Sequence, residues 1–345
     1  MSRYAEAHKI SSLHGPGDAR PTALQIIQDE GLVGKLTDKV FLITGVSSGI
    51  GIETMRALHT TGAHVYGTVR NLEKGQQVVD AILSENHPSG GNITLIEMEL
   101  DSFASVRRGA ADFLSQSNNT LHLLVANAGV MATPYSKTKD GFETQFGTTH
   151  LAHFLLFQLV KPALLSCATP SYPSRVVSVT SVGHILSRPN FDDYNYEHTP
   201  YDAWIAYGQA KTANIWFANV IEAQFGASNL HATSVHPGLI TSSNLAAHLP
   251  PDQQAMFFDP EVQRTAKSAE QGAATQVWAA VGREWMGKGG RYLAGMADAV
   301  SNEEKAKEEG MFYMANDGYK EWAYESEGAE RLWRESFGLV GLVEE

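Results

Sequence analysis

Tyr207 and Lys211 are the two residues whose types and spacing most directly indicate chemistry. The spacing Tyr-x-x-x-Lys places a phenol and an ammonium group on one face of a helix. A tyrosine has a reference pKa of about 10 and is a poor acid or base at neutral pH, but a neighbouring cation stabilises its phenolate. The pair therefore predicts proton transfer to or from a substrate. The alternative is a surface tyrosine and lysine that merely lie four positions apart.

Tyr135 and Lys139 have the same spacing, and their position in the chain separates the two pairs. Tyr135 lies in a segment too polar and turn-rich for a secure helix. Tyr207 is predicted to open a helix that follows the strand leading to Ser181. We therefore assign the chemistry to Tyr207.

A glycine-rich turn follows the apolar strand that begins at Val40 and precedes a helix-like segment. Three glycines would allow a sharp reversal, a close approach of the backbone to a pyrophosphate, and tight packing of the helix on the sheet. Phosphate would then lie over the free N–H groups at the helix N-terminus. The predicted dinucleotide-binding turn comprises Gly45, Ser47, Ser48, Gly49, Ile50 and Gly51.

Alternating strands and helices must position these residues. After the Val40 strand, apolar runs predict strands at residues 63–69, 93–98, 121–125, 175–179, 231–235 and 290–294. Helical spacing predicts helices at residues 22–32, 76–85, 106–115, 142–165, 207–223, 268–281 and 329–337. This alternation indicates a parallel sheet covered on both faces.

In an open parallel sheet the ligand lies beyond the carboxyl ends of the strands, so the residues that directly follow each strand are the candidates for binding and catalysis. These are the glycine turn, Arg70, Asp101, Asn127, Ser181 and the corner at Pro237 and Gly238.

Composition limits the classes of function. The net charge of −12 over 345 residues argues against a nucleic-acid partner. The single cysteine, Cys167, excludes an internal disulfide and a multi-cysteine zinc site, and no metal site is predicted. The longest apolar stretch, residues 151–165, is interrupted by polar residues and is expected to be a buried or interface helix rather than a membrane span. We expect a reducing compartment, the cytoplasm, since residues 1–20 have neither the signal-peptide nor the transit-peptide pattern.

Taken in order, these motifs resemble the short-chain dehydrogenase/reductase family, whose pattern is T-G-x-x-x-G-x-G, N-A-G, a serine, Y-x-x-x-K and P-G. The chain matches it at residues 44–51, 127–129, Ser181, Tyr207 with Lys211, and 237–238. Residues 70–75 and the spacing of 26 from Ser181 to Tyr207 are similar to the retinol-dehydrogenase-like branch and its fungal relatives.

The resemblance implies an α/β fold, namely a single Rossmann-type, doubly wound parallel sheet flanked by helices, over residues 36–295. Residues 1–35 are expected to form a loose arm and a short helix. Residues 296–345 are expected to form a C-terminal helical extension that packs on the domain.

The resemblance also implies hydride transfer between a nicotinamide and a carbonyl or alcohol carbon. Tyr207 would exchange the proton, Ser181 would orient the substrate oxygen, and Lys211 would bind the nicotinamide ribose and tune Tyr207. The remaining implied cofactor contacts are Asp101 at the adenine, Asn127, Ala128 and Gly129 along the adenine-side ribose, and Pro237, Gly238, Ile240 and Ser242 at the nicotinamide.

Arg70 selects the cofactor in this interpretation. An acidic residue at the end of the second strand would bind the ribose hydroxyls of NAD, whereas an arginine pairs with a 2′-phosphate. None of Thr68, Val69 and Arg70 is acidic, so NADP(H) is expected. The alternative is an Arg70 that stacks on adenine or points to solvent.

Thr149 is a departure from the family, which usually has an asparagine there that helps to hold a water connecting the lysine to solvent. A threonine has a shorter reach and one fewer polar group. We expect slower turnover or a rerouted relay. His150, His153 and His236 are expected to be structural.

The substrate is expected to be bulky and hydrophobic, because aromatic residues fill two variable segments that border it in the family. The aromatic residues are Phe191, Tyr194, Tyr196, Tyr201, Trp204, Phe257 and Phe258, and the apolar Met256 accompanies them. The alternative is that the rings only pack the loop onto the domain. The resemblance also implies a homodimer through helices 142–165 and 207–223, unless the C-terminal extension covers that surface.

Three functions are compatible with these residues. The first is an NADP(H)-dependent oxidoreductase acting on a hydrophobic ketone or secondary alcohol, in secondary metabolism. The second is a redox-neutral isomerase, cyclase or dehydratase that uses Tyr207 as acid or base, an alternative kept open by Thr149. The third is a non-catalytic cofactor-binding scaffold, against which the intact Ser181, Tyr207 and Lys211 argue.

Overall fold

An eight-stranded sheet forms the centre of the protein. The computed structural model describes residues 2–85, 87–309 and 317–344. The strands are β1 (Val40–Thr44), β2 (His64–Val69), β3 (Ile93–Glu97), β4 (Leu123–Ala126), β5 (Ser174–Val179), β6 (Leu230–His236), β7 (Tyr292–Ala294) and β8 (Ala297–Asp298). Their spatial order is β3-β2-β1-β4-β5-β6-β7-β8, and every neighbouring pair is parallel except β7 and β8. The predicted doubly wound parallel sheet is confirmed.

The strand order reverses at β1, which pairs with β2 on one side and with β4 on the other. The connections after β1 and after β4 therefore lead to opposite sides of the sheet, which leaves a crevice at the carboxyl end of β1. Ligands bind in this crevice in such sheets. All six residues of β5 and all seven of β6 are buried. Both strands include polar residues, yet all of their residues are buried because helices cover both faces of the sheet.

Thirteen α-helices lie in the described part of the chain. They are α1 (Ala23–Asp29), α2 (Ile50–His59), α3 (Leu72–Ser84), α4 (Phe103–Gln116), α5 (Thr144–Phe146), α6 (Ala152–Cys167), α7 (Ala203–Phe225), α8 (Pro251–Met256), α9 (Pro260–Thr265), α10 (Ala269–Gly272), α11 (Ala274–Val281), α12 (Asn302–Glu309) and α13 (Ser326–Leu339). Helices α4, α6, α7 and α13 enclose the apolar layer on one face of the sheet, and α1, α2 and α11 enclose the layer on the other.

The predicted helix at residues 142–165 is interrupted. A π-helical turn at Gly147–Leu151 separates α5 from α6. Such turns insert one extra residue into the helix and often occur at functional sites. The turn carries Thr149, so the interruption lies at the position where the sequence departs from the pattern of the family that it resembles.

A tight hairpin extends the sheet beyond residue 295, the predicted end of the domain. Gly295 (φ +53°) and Met296 (φ +60°) form a two-residue connection between β7 and antiparallel β8. Two consecutive positive φ angles are typical of such hairpins, in which asparagine and glycine are the usual residues. The pair has methionine rather than glycine or asparagine at its second position, and β8 was not predicted.

The N-terminal arm is packed against the domain, and the expectation of a loose arm was wrong. Arg20 is 4% exposed. Its guanidinium donates to the carbonyl oxygens of Thr265 (2.7 Å) and Ala266 (2.5 Å) and, through Nε, to Asp18 (2.8 Å). The guanidinium thus pairs carbonyl groups at the end of α9, which fixes residues 15–20 on the domain.

Helix α13 packs its aromatic side on α6 and α7. Trp333 lies with its ring centroid 5.0 Å from that of Phe154, and Phe337 lies 5.1 Å from Phe154, both edge-on. Phe154, Leu155 and Phe157 are fully buried. The C-terminal helix therefore covers the surface of the long helices through which a dimer was considered.

Candidate active site

Ser181, Tyr207 and Lys211 meet at the carboxyl end of β5. Ser181 follows this strand and caps the turn Val182–Leu186 by accepting a hydrogen bond from the Gly183 N–H (3.0 Å). Tyr207 lies in the second turn of α7, and its phenol is close enough to the Ser181 side chain for that group to act on its pKa. Lys211 lies one helical turn further, with Nζ 5.6 Å from the centroid of the Tyr207 ring. The structure thus brings the three predicted residues together.

Gly183 makes this arrangement possible. A Cβ atom at Gly183 would lie 2.6 Å from Cε1 of Tyr207 and 3.4 Å from Oγ of Ser181. Any larger residue would push the tyrosine ring away from the serine. The S-V-G sequence is therefore a requirement for close approach of Tyr207 to the turn after β5.

The two ionisable groups have shifted pKa values because they are buried. Burial raises the pKa of Tyr207 to about 12, although the hydrogen bond with Ser181 opposes this effect. Burial also lowers the pKa of Lys211 to about 8. We expected Lys211 to favour the phenolate, but the loss of hydration dominates here. Tyr207 is therefore a protonated phenol at neutral pH, which is the form that donates a proton.

Lys211 and Thr149 border one space beside Gly129. The Cβ position of Gly129 is 3.5 Å from Nζ of Lys211 and 3.6 Å from Oγ1 of Thr149. Lys211 Nζ donates to the Val179 carbonyl oxygen (3.1 Å), whereas Thr149 Oγ1 is buried without a protein partner. A buried hydroxyl without a partner is costly, so this space suits a water molecule or a polar group of a ligand.

Thr44 joins the end of β1 to the segment after β4. Its Oγ1 accepts hydrogen bonds from the N–H groups of Asn127 and Ala128, both at 3.0 Å. The same hydroxyl donates to Nε2 of His153 (2.8 Å), whose Nδ1 donates to the Thr149 carbonyl oxygen (2.9 Å). Burial lowers the pKa of His153 to about 4. This neutral histidine, expected to be structural, connects the π-turn with the segment predicted to border the cofactor.

The glycine turn has the shape that a dinucleotide requires. Gly45 (φ +72°) lies against Ala128, whose Cβ is 2.8 Å from the Cβ position of Gly45, and Gly51 lies against the Gly45 carbonyl oxygen. Gly49 (φ +61°) has no neighbouring atom within 4 Å of its Cβ position, and no side chain caps α2. Open space in front of an uncapped helix N-terminus fits a pyrophosphate. Ser47, Ser48 and Ile50 lie in this turn, and Ser48 is exposed.

Asn127 is occupied within the protein. Its side-chain amide donates to the carbonyl oxygens of Thr44 (2.8 Å) and Gly45 (3.3 Å), and its Oδ1 accepts from Gln276 (3.4 Å). The side chain thus fixes the start of the glycine turn. A ribose contact from this residue would have to come from its backbone.

Arg70 and Asp101 lie beyond the carboxyl ends of β2 and β3. Arg70 is exposed, and its charge helps to lower the pKa of Glu99, although the main cause of that shift is the hydrogen bond from Lys139. Asp101 Oδ1 lies 3.5 Å from Nζ of Lys139. An exposed guanidinium at the end of β2 is available to a phosphate group.

Tyr135 and Lys139, the second pair with the Tyr-x-x-x-Lys spacing, do not form a helix turn. The Tyr135 hydroxyl donates to the Asn195 carbonyl oxygen (3.0 Å), while Lys139 is exposed and pairs with Glu99 and Asp101. The two side chains point to different partners on the surface. Residues 135–139 therefore lie outside any helix, as the sequence predicted.

The corner after β6 is held by a buried lysine that the sequence did not single out. Lys267 is 4% exposed, and its Nζ donates to the Pro237 carbonyl oxygen (3.2 Å) while its N–H donates to that of Leu239 (2.7 Å). Gly238 has φ +93°, and Nζ of Lys267 is 2.8 Å from its Cβ position. The lysine therefore fixes the loop predicted to meet the nicotinamide.

Ile240 and Ser242 follow this corner. The Ile240 side chain packs at the Cβ position of Gly272, where the side chain of Ile50 also reaches, so the loop touches the first turn of α2. Ser242 is exposed. The predicted nicotinamide loop and the predicted pyrophosphate turn thus border the same crevice.

Most rings of the aromatic connection pack the loop onto the domain. Tyr194 stacks on Phe146 (4.8 Å), and Phe191 stacks on Trp216 (6.2 Å). Trp204 is different, because its ring lies 6.2 Å from that of Tyr207 and its Nε1 donates to Gln253 of α8 (3.1 Å). Met256 at the end of α8 and Phe258 just after it are 61% and 72% exposed. Trp204 therefore connects Tyr207 with α8, and the end of α8 carries exposed apolar side chains.

Three residues beside the site were missed by sequence reasoning. His184 lies three residues after Ser181, Asp317 lies in the C-terminal extension, and Lys267 precedes α10. The pattern S-x-x-H was a usable signal for His184. Nothing local marks Asp317, because its contacts are made across the fold with His236.

One stretch, Thr144–Cys167, is long and apolar enough to cross a membrane by length and composition. However, 61% of its most apolar 18-residue window is buried inside the fold, as is common for a core helix of a globular protein. In the described ranges, no group of three or more His, Cys, Asp and Glu side chains is arranged to hold a metal ion.

Comparison with known proteins shows that the chain is similar to the members of one protein family. The family model described as short chain dehydrogenase matches residues 39–254. The chain is 46% identical to the short-chain dehydrogenase/reductase prx1 of Penicillium roqueforti, over 96% of this chain and 93% of that protein. It is 41% identical to the oxidoreductase calI of Penicillium decumbens, over 100% of this chain and 99% of that protein. It is 33% identical to retinol dehydrogenase 12 of Mus musculus, over 89% and 88%.

Solved structures share the fold. A crystal structure of an uncharacterized protein from Mycobacterium paratuberculosis has a TM-score of 0.65 and 26% identity, over 97% of this chain and 98% of that one. The RhlG/NADP active-site complex of Pseudomonas aeruginosa has a TM-score of 0.60 and 24% identity, over 76% of this chain and 96% of that one.

Proposed function

This chain belongs to the short-chain dehydrogenase/reductase family, and from that premise we propose that it is an NADP(H)-dependent oxidoreductase that reduces a bulky hydrophobic ketone or oxidises the matching secondary alcohol. The observation that carries the proposal is the convergence of the Tyr207 ring and the Ser181 hydroxyl at Gly183, next to the buried Lys211. The proposed place is the cytoplasm, in fungal secondary metabolism.

Tyr207 is the proposed proton donor in the direction of reduction. Its raised pKa, about 12, keeps it protonated at neutral pH, and its hydroxyl lies beside Ser181. A carbonyl oxygen bound between the two hydroxyls would accept a hydrogen bond from Ser181 and the proton from Tyr207. The developing alkoxide is then stabilised by donors that are already in place.

Lys211 and Thr149 are the proposed route by which Tyr207 regains its proton. The pKa of Lys211 is lowered to about 8, so its ammonium group can give up a proton near neutral pH. Thr149 Oγ1 faces the same space beside Gly129 and has no protein partner. A water held there would connect the ammonium to the polar end of the π-turn, in the role that an asparagine has in related chains.

The nucleotide is proposed to lie in the crevice from Arg70 to Gly238. When bound, it supplies the hydride at its nicotinamide. The residues proposed to hold it are Gly45, Ser47, Ser48, Gly49, Ile50 and Gly51 at the pyrophosphate, Asp101, Asn127, Ala128 and Gly129 along the adenosine, Lys211 at the ribose, and Pro237, Gly238, Ile240 and Ser242 at the nicotinamide. The exposed Arg70 supports NADP(H) over NAD(H), because its guanidinium pairs well with a 2′-phosphate.

A hydrophobic substrate is supported by Trp204 and the segment it contacts. The Trp204 ring borders Tyr207, and its Nε1 donates to Gln253. The exposed Met256 and Phe258 lie shortly after Gln253 in the chain. Large apolar side chains exposed at the mouth of a site favour an apolar ligand. Assembly through the long helices is not part of the proposal, because α13 covers Phe154 and Phe157.

The experiment is a turnover assay with NADPH and the bulky ketone trans-1-decalone, with acetone as the small comparison. We expect NADPH oxidation that depends on decalone, is weaker with acetone, and disappears in Tyr207→Phe. Nucleotide binding without turnover of any ketone or alcohol, together with conversion of a substrate at constant redox state, would favour the redox-neutral alternative.

A further inference from the structure

We propose that residues 317–322, here called the C-terminal strap, position the Ser181 turn for catalysis through His184 and His236. The strap is more than 100 residues from Ser181 in sequence, yet its backbone and one carboxylate contact both histidines. The inference deepens the proposed function and rests on it, because it assigns Ser181 a catalytic role.

His184 connects the strap to the Ser181 backbone. Its Nδ1 lies 2.8 Å from the Ser181 carbonyl oxygen, and its Nε2 lies 3.2 Å from the backbone nitrogen of Lys320. A carbonyl oxygen only accepts and a backbone N–H only donates, so Nδ1 carries the proton and Nε2 accepts. His184 is fully buried, and burial lowers its pKa to about 4. The ring therefore remains in this neutral form across the physiological pH range.

The strap also contacts the backbone of His184. Nε1 of Trp322 donates to the His184 carbonyl oxygen (3.1 Å), and the same oxygen accepts from Thr212 Oγ1 of α7 (3.1 Å). Trp322 in turn accepts through its own carbonyl oxygen from Nε1 of Trp216 (2.7 Å). The turn after β5, the strap and α7 are thus joined at one residue.

His236 forms the second connection. Its Nδ1 accepts from the Val182 N–H (3.2 Å), and its Nε2 lies 3.4 Å from Oδ1 of Asp317. Val182 directly follows Ser181. The strap therefore holds both polar groups of the Ser181–Val182 peptide bond, the Ser181 carbonyl oxygen through His184 and the Val182 N–H through His236.

Asp317 extends this connection to the corner after β6. Burial alone would raise the pKa of Asp317, but the hydrogen bond from Nε2 of His236 and the charge of Lys267 bring it well below its usual range. Lys267 donates to the Pro237 carbonyl oxygen (3.2 Å). The strap therefore fixes two loops of the site, whereas no contact connects it to the glycine turn in the described ranges.

This arrangement predicts a particular kinetic signature. A displaced Ser181 turn would move the Ser181 hydroxyl from Tyr207 and slow the chemical step. It would leave nucleotide binding at the glycine turn unchanged. A general loss of stability would instead lower the fraction of folded enzyme. The kcat and KM of the enzyme that remains folded would not change.

The test is a pair of proline variants in the strap. Lys320→Pro removes the N–H that donates to His184 and places ring atoms against the imidazole. Glu321→Pro is the matched control, because Glu321 is exposed and begins the short helix Glu321–Tyr324, a position that accepts proline. We expect Lys320→Pro to lower kcat about tenfold with the KM for NADPH within about twofold, and Glu321→Pro to keep both. A folded Lys320→Pro enzyme with wild-type kcat would overturn the proposal.

Amide hydrogen exchange of residues 181–186 gives a readout without turnover. Faster exchange in Lys320→Pro than in Glu321→Pro supports the role of the strap, whether or not the wild type reduces a ketone. A wild type that reduces no ketone would count only against the proposed function. Equal exchange in the two folded variants overturns the strap. Should Lys320→Pro not fold, His236→Gln takes its place, because it keeps a donor toward Asp317 and lacks the acceptor for the Val182 N–H. Wild-type kcat in folded His236→Gln would then reject the proposal.

Discussion

The hydroxyl of Thr149 and the ammonium group of Lys211 border the same space beside Gly129, at 3.6 Å and 3.5 Å from its Cβ position. The threonine hydroxyl has no protein partner, although it is fully buried. The π-turn and the His153 bond to the Thr149 backbone hold this side chain at the lysine. Thr149, which replaces the usual asparagine, thus still places a polar group beside Lys211.

Replacing Thr149 by valine tests the proposed relay. Valine has the same shape and lacks the hydroxyl, so we expect kcat to fall roughly tenfold while the KM for the ketone stays within about twofold. Thr149→Ser should retain most of the activity. The control is Thr275→Val on α11, another buried threonine with an unpartnered hydroxyl, on the opposite side of the sheet. Equal kcat values for Thr149→Val and the wild type would exclude a role for the hydroxyl.

Tyr207→Phe removes the proposed proton donor. We expect kcat to fall by roughly 10²- to 10⁴-fold, since this is the usual contribution of a positioned acid or base, with the Kd for NADPH changed by less than about threefold. Tyr135→Phe is the matched control, because Tyr135 belongs to the second Tyr-x-x-x-Lys pair and its hydroxyl reaches Asn195 at the surface. Steady-state kinetics that show full activity in Tyr207→Phe would remove this residue from the mechanism.

Acid should destabilise the protein before its carboxylates titrate. Burial lowers the pKa of His150 to about 3 and that of His153 and His184 to about 4, against about 6.5 in the unfolded chain. Between these values the unfolded chain binds protons that the folded chain does not, so stability falls as the pH falls below about 6.5. Each histidine adds a slope of up to about 1.4 kcal/mol per pH unit.

Urea unfolding at pH 7 and at pH 5 measures this effect. We expect a lower free energy of unfolding at pH 5 and a smaller difference between the two pH values in His153→Asn. The control is His198→Asn, which removes an exposed histidine and should keep the wild-type difference. Equal stability at the two pH values would contradict the burial of neutral histidines.

Trp333→Ala tests the packing of α13. The indole is 4% exposed and packs against Phe154, Phe157 and Phe217, so its removal should cost about 3–5 kcal/mol of unfolding free energy. Light scattering should also show association, because the apolar faces of α6 and α7 become accessible. Arg334→Ala, at an exposed neighbouring position, is the control. A monomeric and fully stable Trp333→Ala protein would show that α13 does not protect this surface.

The sequence predicted the parallel sheet, the glycine turn and the convergence of Ser181, Tyr207 and Lys211, because these depend on local patterns. Strand and helix periodicity set the topology, and the carboxyl ends of the strands then place the residues that follow them. The direction of the Tyr207 pKa shift was wrong, since burial outweighs the charge of Lys211 and burial cannot be read from spacing.

Other features depend on contacts between distant parts of the chain. Arg20 is held by carbonyl groups about 245 residues away, and Asp317 meets His236 across the fold. Neither contact has a local sequence signal. The tight Gly295–Met296 connection likewise has a methionine where glycine or asparagine usually marks a hairpin.

The central claim is that this site binds NADP(H), and calorimetric titration with NADPH and NADH tests it most directly. We expect NADPH to bind at least about tenfold more tightly than NADH, and Arg70→Ala to weaken NADPH binding roughly 10- to 100-fold while leaving NADH unchanged, as the loss of a charge-assisted contact requires. Arg291→Ala, which removes an exposed arginine beside β7, should bind both nucleotides as the wild type does. Binding of neither nucleotide, or equal affinity for both in the wild type and Arg70→Ala, would contradict the account.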